Sequence, residues 1–488
     1  MSIEYHLIAP ILLVFGSAVV GVLVEAFAPR TWRRHAQIVI AAFGLVTAFV
    51  AVAHLWRTTA TAMAGAVIID GAALFLQGTI LVLALLALLL ISDSSVFTAQ
   101  AAAVPGGTSE AEAEAAGVQH TEIYPLMLFA TGGMLLFPAA GDLLTMFIAL
   151  EVFSLPLYLL CGLARYRRLL SQESALKYFL MGAFSSAFFL FGVAMLYGYA
   201  GGVRLYDIAN AHGPRGLLLI GIALVAVGLL FKVGLVPFHS WVPDVYQGAP
   251  TPVTAFMASA TKVAAFGALL RVSMTAFDDW KPILYGVAAA TMIIGVLMAV
   301  TQTDVKRMLA YSSIAHAGYI LVGVVAFSPA ATLFYAAVYG LATVAAFTLT
   351  GMVHDRDGET GQLREWAGLG RRHPLFAGVF TIVMLALAGL PLTSGFIGKL
   401  GVFVAAFNAG EWPLVVVGVI SSAIAAFFYL RVVVMMFFTP QSDDSVTVFE
   451  GHRPSIAAAA IAIAATILLG VVPQPLFQLA ENAFLSIL

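Results

Sequence analysis

Charged side chains are scarce: Asp, Glu, Lys and Arg make up 10% of 488 residues, where a soluble globular domain carries about 25%. That leaves too little polar surface to wrap a particle of this size in water. Cysteine is almost missing. The single Cys161 excludes an internal disulfide, a CxxC redox pair and a cysteine-ligated iron–sulfur cluster. There is no basic excess either; the formal net charge is -2, which offers nucleic acid no attractive field. No GxGxxG follows a strand and no GxxxxGK[ST] occurs, so nothing cradles a nucleotide phosphate. What is present is apolar: 61% hydrophobic residues and a mean hydropathy of +1.00. The class is an all-α polytopic membrane protein, because a helix satisfies its own backbone in lipid.

A crossing helix needs roughly 20 mainly apolar residues. About fourteen runs meet that length, near 5–28, 37–56, 71–92, 122–139, 142–163, 174–200, 217–238, 252–273, 282–301, 308–327, 331–353, 374–404, 413–438 and 455–486. The first is expected to be an ordinary span rather than a cleaved leader, since MSIEYH carries Glu4 and no Lys or Arg. With the N-terminus outside, Lys and Arg near helix ends divide about thirteen inside to four outside. The outer four are Arg57, Arg204, Arg215 and Lys281. An even number of spans then puts both termini on the outer side of a bacterial cell membrane. Residues 94–121, rich in Ala, Gly and Glu, read as a solvated inner loop.

Two apolar runs carry breakers. The seventh reads LLFKVGLVPFHSWVPDVYQGAPTPVTAF and the twelfth LALAGLPLTSGFIGKLGVF. Proline removes a helix donor, and broken backbone survives in a bilayer only where protein or water satisfies it. The two runs are five apart, and an odd offset requires equivalent units to have opposite topology. The expected plan is therefore two inverted five-helix repeats, helices 4–8 (122–273) and 9–13 (281–438). Three helices (1–93) and the loop 94–121 precede them, and one helix (453–488) follows. Inverted repeats with matched breaks are a recurring transporter design, with the ion site at the breaks. The alternative is a pair of ordinary kinked helices.

Few ionisable groups fall far from a helix end: Glu151, Lys232, Lys262 and Lys399. Each costs roughly 2.5–3.5 kcal/mol to insert, a heavy load for a purely structural subunit. A buried carboxylate and ammonium favour their charged forms when close and their neutral forms when apart, so small movements load or release a proton. Lysine suits this role because arginine keeps its charge. His239, after the seventh-helix break, and His316, in KRMLAYSSIAHAGYI, can accept and donate. Tyr311, Ser312, Ser313 and Tyr319 lie near His316 on the same helix. Lys177 and Arg431 sit nearer helix ends, where snorkelling to headgroups is the competing account. Packing, or axial ligation of a haem, competes for His316.

Three stretches together, KVGLVPFHSWVPDVYQGAPTPVTAFMASATK, QTDVKRMLAYSSIAHAGYI and AGLPLTSGFIGK, resemble the antiporter-like membrane subunits of respiratory complex I, over about residues 122–438. The resemblance implies a proton path. In it Glu151 pairs with Lys232, Lys177 matches the sixth-helix lysine, and Lys262 is the central relay joined through His239 and His316. Lys399 then faces the next half-channel. It also implies that NADH, flavin, iron–sulfur clusters and quinone belong to partner subunits, with no cofactor in this chain. The expected partners are other antiporter-like and small helical membrane-arm subunits, together with the lipid bilayer. A multi-subunit sodium/proton antiporter shares the fold and the buried lysines, and is the alternative.

Overall fold

The computed structural model describes residues 4–93, 121–164, 168–355, 358–440, 446–448 and 453–483. The expected loop 94–121 lies outside the described residues apart from Thr121. Among the described residues, eleven helical runs are long and apolar enough to cross a bilayer, and three shorter apolar helices accompany them. One long run, Thr251–Val300, holds two passes that meet at a 3-10 turn, Met274–Ala276. Two of the shorter helices are halves of one pass. Fourteen passes result. In chain order, spans 1 to 7 are Ala9–Phe27, Arg30–His54, Gly71–Ile91, Ile123–Ala139, Leu143–Cys161, Arg168–Ala200, and Arg215–Val233 with Trp241–Gly248. Spans 8 to 14 are 251–273, Phe277–Val300, Val305–Val325, Pro329–Thr350, Pro374–Ala388 with Ser394–Asn408, Trp412–Phe438 and Arg453–Val471.

Aspartates start three of these helices. Asp70, Asp142 and Asp304 accept the backbone N–H of Ala73, Thr145 and Arg307 at 2.8, 2.7 and 3.0 Å, satisfying donors that the first turn leaves free. Span 14 is shorter than its apolar run, because Pro473 and Pro475 stop it and redirect the chain into a short helix, Gln474–Glu481. Two small sheets sit in loops, Ala60–Ala62 with Val67–Ile69, and Gly358–Glu359, Val353–Asp355 and Thr447–Val448 in that order.

Burial sorts the spans. Every residue from Thr251 to Ser273 is buried, as is nearly all of spans 10 and 11. Spans 1, 2, 6 and 13 instead expose rows of Val, Leu, Ile and Phe, the surface a lipid solvent requires. The polar cargo is therefore carried by the innermost helices.

Two groups of five spans share landmarks. In spans 4–8, the loop before span 7 clips onto the start of span 5: Leu205 N–H reaches Gly141 O at 3.0 Å, and Leu143 N–H reaches Val203 O at 3.0 Å. In spans 9–13, the loop before span 12 clips onto span 10 in the same way, Leu363 to Thr303 at 2.8 Å and Val305 to Gly361 at 2.7 Å. The capping aspartates Asp142 and Asp304 occupy corresponding places in the two clips.

The breaks match as well. Span 7 stops at Gly234 (φ 81°, ψ 42°) and span 12 at Gly389 (φ 83°, ψ 44°), both left-handed. Gly234 N–H meets the Leu230 and Phe231 carbonyls, and Leu235 N–H meets Leu230 O at 2.9 Å. Gly389 N–H meets Leu385 and Ala386, and Leu390 N–H meets Leu385 O at 3.1 Å. This is the same C-terminal capping motif at both breaks. Irregular backbone follows until Trp241 and Ser394. The freed polar groups are covered by protein: Trp241 Nε1 donates to Phe231 O at 3.0 Å, and Val236 N–H to Thr291 Oγ1 at 3.1 Å.

Candidate functional site

Lys232 lies two residues before Gly234, enclosed by spans 5, 6 and 7. Its ammonium donates to Ser154 Oγ at 2.7 Å and to Tyr178 Oη at 3.0 Å. It also lies 4.3 Å from the Phe153 ring centroid and 5.1 Å from that of Tyr178, where the electron-rich ring faces attract a cation. Pro156, inside span 5, leaves the Val152 carbonyl without its helical donor in this same turn.

Glu151 sits one turn before Ser154, and its Oε1 is buried without a hydrogen-bond partner. The closed Glu151–Lys232 pair that the resemblance implies is not formed in this structure. The Lys232 ammonium rests on the Ser154 and Tyr178 hydroxyls instead.

Lys262 follows a π-helical turn, Met257–Thr261, inside span 8. Such turns are rare and concentrate at functional sites. Its ammonium donates to Ser313 O of span 10 at 2.7 Å. The Ser313 hydroxyl receives Tyr339 Oη at 2.8 Å, and the Tyr339 ring lies 5.2 Å from His316 and 5.8 Å from Lys262 Nζ. His316 meets Tyr335 Oη through Nδ1 at 2.9 Å and Tyr429 Oη through Nε2 at 3.3 Å. Tyr429 continues to the Ser312 hydroxyl. Both ring nitrogens are engaged, so a neutral imidazole accepts on one side and donates on the other.

Lys399 is buried in span 12, facing the end of that span's own first half. Its ammonium donates to Ala388 O at 2.8 Å and to Ser422 Oγ at 2.9 Å, and it lies 4.7 Å from the Tyr319 ring. A cation at the carbonyl end of a helix is electrostatically favoured. Here the lysine does for span 12 what the Trp241 indole does for span 7. It does not snorkel.

The other two expected residues stand apart from this interior. His239 is half-buried in the irregular segment of span 7, with Nδ1 buried and unpartnered, and forms no hydrogen bond to Lys262 or His316. Lys177 is at the surface, 40% exposed, paired with Glu173 at 2.6 Å and Asp244 at 2.7 Å. Arg307 reaches the other oxygen of Asp244 at 2.6 Å. Arg431 donates to Val300 O at 2.8 Å and to Gln302 O, closing the end of span 9.

Residue reading missed several participants. Ser154, Tyr178, Tyr335, Tyr339, Ser422 and Tyr429 hold the buried bases and belong to other spans. Tyr335 and Tyr339, four apart in FYAAVY, share a helix face, and that spacing was the available signal. A fully buried ion pair was also missed: Arg271 grips both oxygens of Asp70 at 2.9 Å each, and its Nε donates to Pro138 O at 2.7 Å.

Fourteen passes, two matched breaks and lysines buried in spans 7, 8 and 12 define an antiporter-type membrane subunit. The family described as NADH:quinone oxidoreductase/Mrp antiporter, TM, matches residues 140–425. NADH-quinone oxidoreductase subunit N of Rhodococcus opacus (strain B4) is 56% identical, covering 99% of this chain and 96% of that one. A chain of respiratory complex I from Thermus thermophilus superposes with a TM-score of 0.82 at 33% identity, covering 97% of this chain and 100% of its own. A chain of the Mrp complex from Dietzia sp. DQ12-45-1b shares the fold, with a TM-score of 0.83 at 21% identity and coverage of 98% and 97%. The chain belongs to the subunit N family of NADH-quinone oxidoreductase, the antiporter-like membrane subunits of complex I.

Proposed function

We propose that this chain translocates protons in the membrane arm of NADH:quinone oxidoreductase along Glu151, Lys232, Lys262, His316 and Lys399, driven by electron transfer in partner subunits. The observation that carries the reading is that Lys232, Lys262 and Lys399 are buried without an ion-pair partner among the described residues, each resting on hydroxyls, carbonyls or rings. An ammonium so placed can pass its proton on through the neutral hydroxyls and imidazole of the Tyr/Ser/His network around it. Spans 4–8 and 9–13 act as inverted repeats, which the matched clips and breaks support. Flavin, iron–sulfur and quinone chemistry are assigned to partner subunits, and the Lys306 side of the molecule to the cytoplasm, from the basic bias of the loops. His239 and Lys177 take secondary places, near the break and at the surface. The antiporter alternative rests on fold alone. Haem ligation is disfavoured because both nitrogens of His316 already meet tyrosines.

The test is the intact complex carrying Lys262→Met or Lys262→Arg. Both should cut NADH-driven quinone reduction to a small residual rate while artificial-acceptor reduction by the redox arm continues. Arginine is the sharper variant, since it keeps the charge and cannot release the proton. Wild-type turnover with Lys262→Arg would mean that charge, not proton exchange, is what the position supplies.

A further inference from the structure

We infer that Glu359 is the carboxyl through which protons pass from the loop side into the Lys262 relay; this rests on the relay reading above. Glu359 lies in the short strand Gly358–Glu359 of the loop between spans 11 and 12, directly opposite His354 in the antiparallel pair. Opposed side chains in such a pair are neighbours on one face. The third strand, Thr447–Val448, ties that sheet to the loop between spans 13 and 14.

From this position Glu359 touches both solvent and interior. Its side chain is 23% exposed, whereas the groups it contacts are buried. Oε1 accepts the hydroxyl of Thr251, the first helical residue of span 8, and lies 3.3 Å from the ammonium of Lys306. Lys306 is itself fixed by donation to Ala249 O at 2.9 Å, just before span 8. The carboxyl is thus held on the helix that carries Lys262. From Thr251 to Lys262 is eleven residues, about 16 Å along a helix. That stretch carries the hydroxyls of Thr254, Ser259 and Thr261, and Thr261 Oγ1, beside Lys262, is buried without a partner. The Thr254 and Ser259 hydroxyls rest on the Pro250 and Ala255 carbonyls one turn back, so the inferred path is completed by bridging water.

The neighbouring acid is a poorer candidate. Asp244 has one oxygen on Lys177 and the other on Arg307, at 2.7 and 2.6 Å, so both are committed to cations. Glu359 faces one cation and one hydroxyl, and its partial exposure lets it exchange protons with water.

The experiment measures NADH-driven quinone reduction by the intact complex in uncoupled membranes, for Glu359→Gln, Glu359→Asp and Lys262→Met, with and without added formate. A small weak acid can carry protons to a mouth that has lost its carboxyl. Glu359→Gln should turn over about a hundredfold more slowly, the lower end of the usual range for a lost proton-transfer group; formate should restore much of the rate, and Glu359→Asp should stay near wild type. Wild-type turnover of Glu359→Gln overturns the inference. So does a slow rate that formate leaves unchanged with Glu359→Asp equally slow, the mark of a merely structural contact. If Glu359→Gln fails to assemble, Thr251→Val takes its place, with slowing expected and wild-type turnover contradicting. Lys262→Met separates the two claims. Wild-type turnover there removes the relay and this inference together, whereas a strongly slowed Lys262→Met beside a fully active Glu359→Gln removes this inference alone.

Discussion

Lys232, Lys262 and Lys399 are held by three different sets of acceptors: two hydroxyls, one carbonyl, and two carbonyls with a hydroxyl. None of these acceptors carries a formal charge, so no lysine is locked in a closed ion pair. A fixed carboxylate partner would stabilise the ammonium and slow its release. Glu151 is near enough in sequence to Ser154 to approach Lys232 in another state, yet stands apart in this one. Glu151→Gln and Lys232→Ala should each cut quinone-linked turnover while leaving the artificial-acceptor rate intact, and normal proton pumping per electron in both would rule out a switchable pair. Asp70 and Arg271 behave in the opposite way. Both are fully buried and fork-paired, so Arg271→Met alone should cost about 3–5 kcal/mol by stranding the carboxylate. Adding Asp70→Asn, which removes the charge and keeps an oxygen for the Ala73 N–H, should recover much of that loss, which thermal denaturation of the purified complex would read. Equal losses in the single and double variants would argue against a stranded charge.

At the scale of the helix, the two breaks explain where the lysines sit. A break exposes carbonyls that an intact helix would consume, and those carbonyls receive Lys399 at Ala388 and Trp241 at Phe231. Gly234 and Gly389 are needed because a left-handed residue with a side chain costs roughly 1–2 kcal/mol, and a Cβ at Gly234 would lie 2.6 Å from Val242 Cγ2. Gly389→Ala would press on the side chain of Lys399 itself, 2.9 Å from its Cδ. That variant should therefore lower quinone-linked turnover more than it lowers assembly, as judged by the yield of intact complex; parallel losses would indicate a folding defect only. The breaks were legible in sequence because Pro237, Pro391 and the nearby glycines interrupt apolar runs. The tyrosines were not. Whether Tyr335, Tyr339 or Tyr429 faces inward depends on how spans 11 and 13 pack around His316, and an almost uniformly apolar helix gives no amphipathic stripe from which to read its orientation. The distance between Glu151 and Lys232 was illegible for the same reason: depth follows from residue counting, whereas contact depends on rotation about the helix axis.

Across the whole molecule, the polar interior runs from span 7 through spans 8 and 10 to span 12, crossing from one five-span unit into the other. The number of passes followed from hydropathy, because the bilayer fixes helix length, whereas the end of span 14 did not, since Pro473 and Pro475 stop that helix at Val471. The surface network at Asp244, the Glu359 sheet and the Asp70–Arg271 pair arise where distant loops meet, and no local pattern announces them. The central claim is that protons cross through this chain rather than past it. The most direct measurement is the ratio of protons pumped to electrons transferred in vesicles containing the complex with Lys262→Met, in the residual turnover that remains. The relay account predicts a lower ratio, as this chain's share is lost. An unchanged ratio at any measurable rate would contradict it.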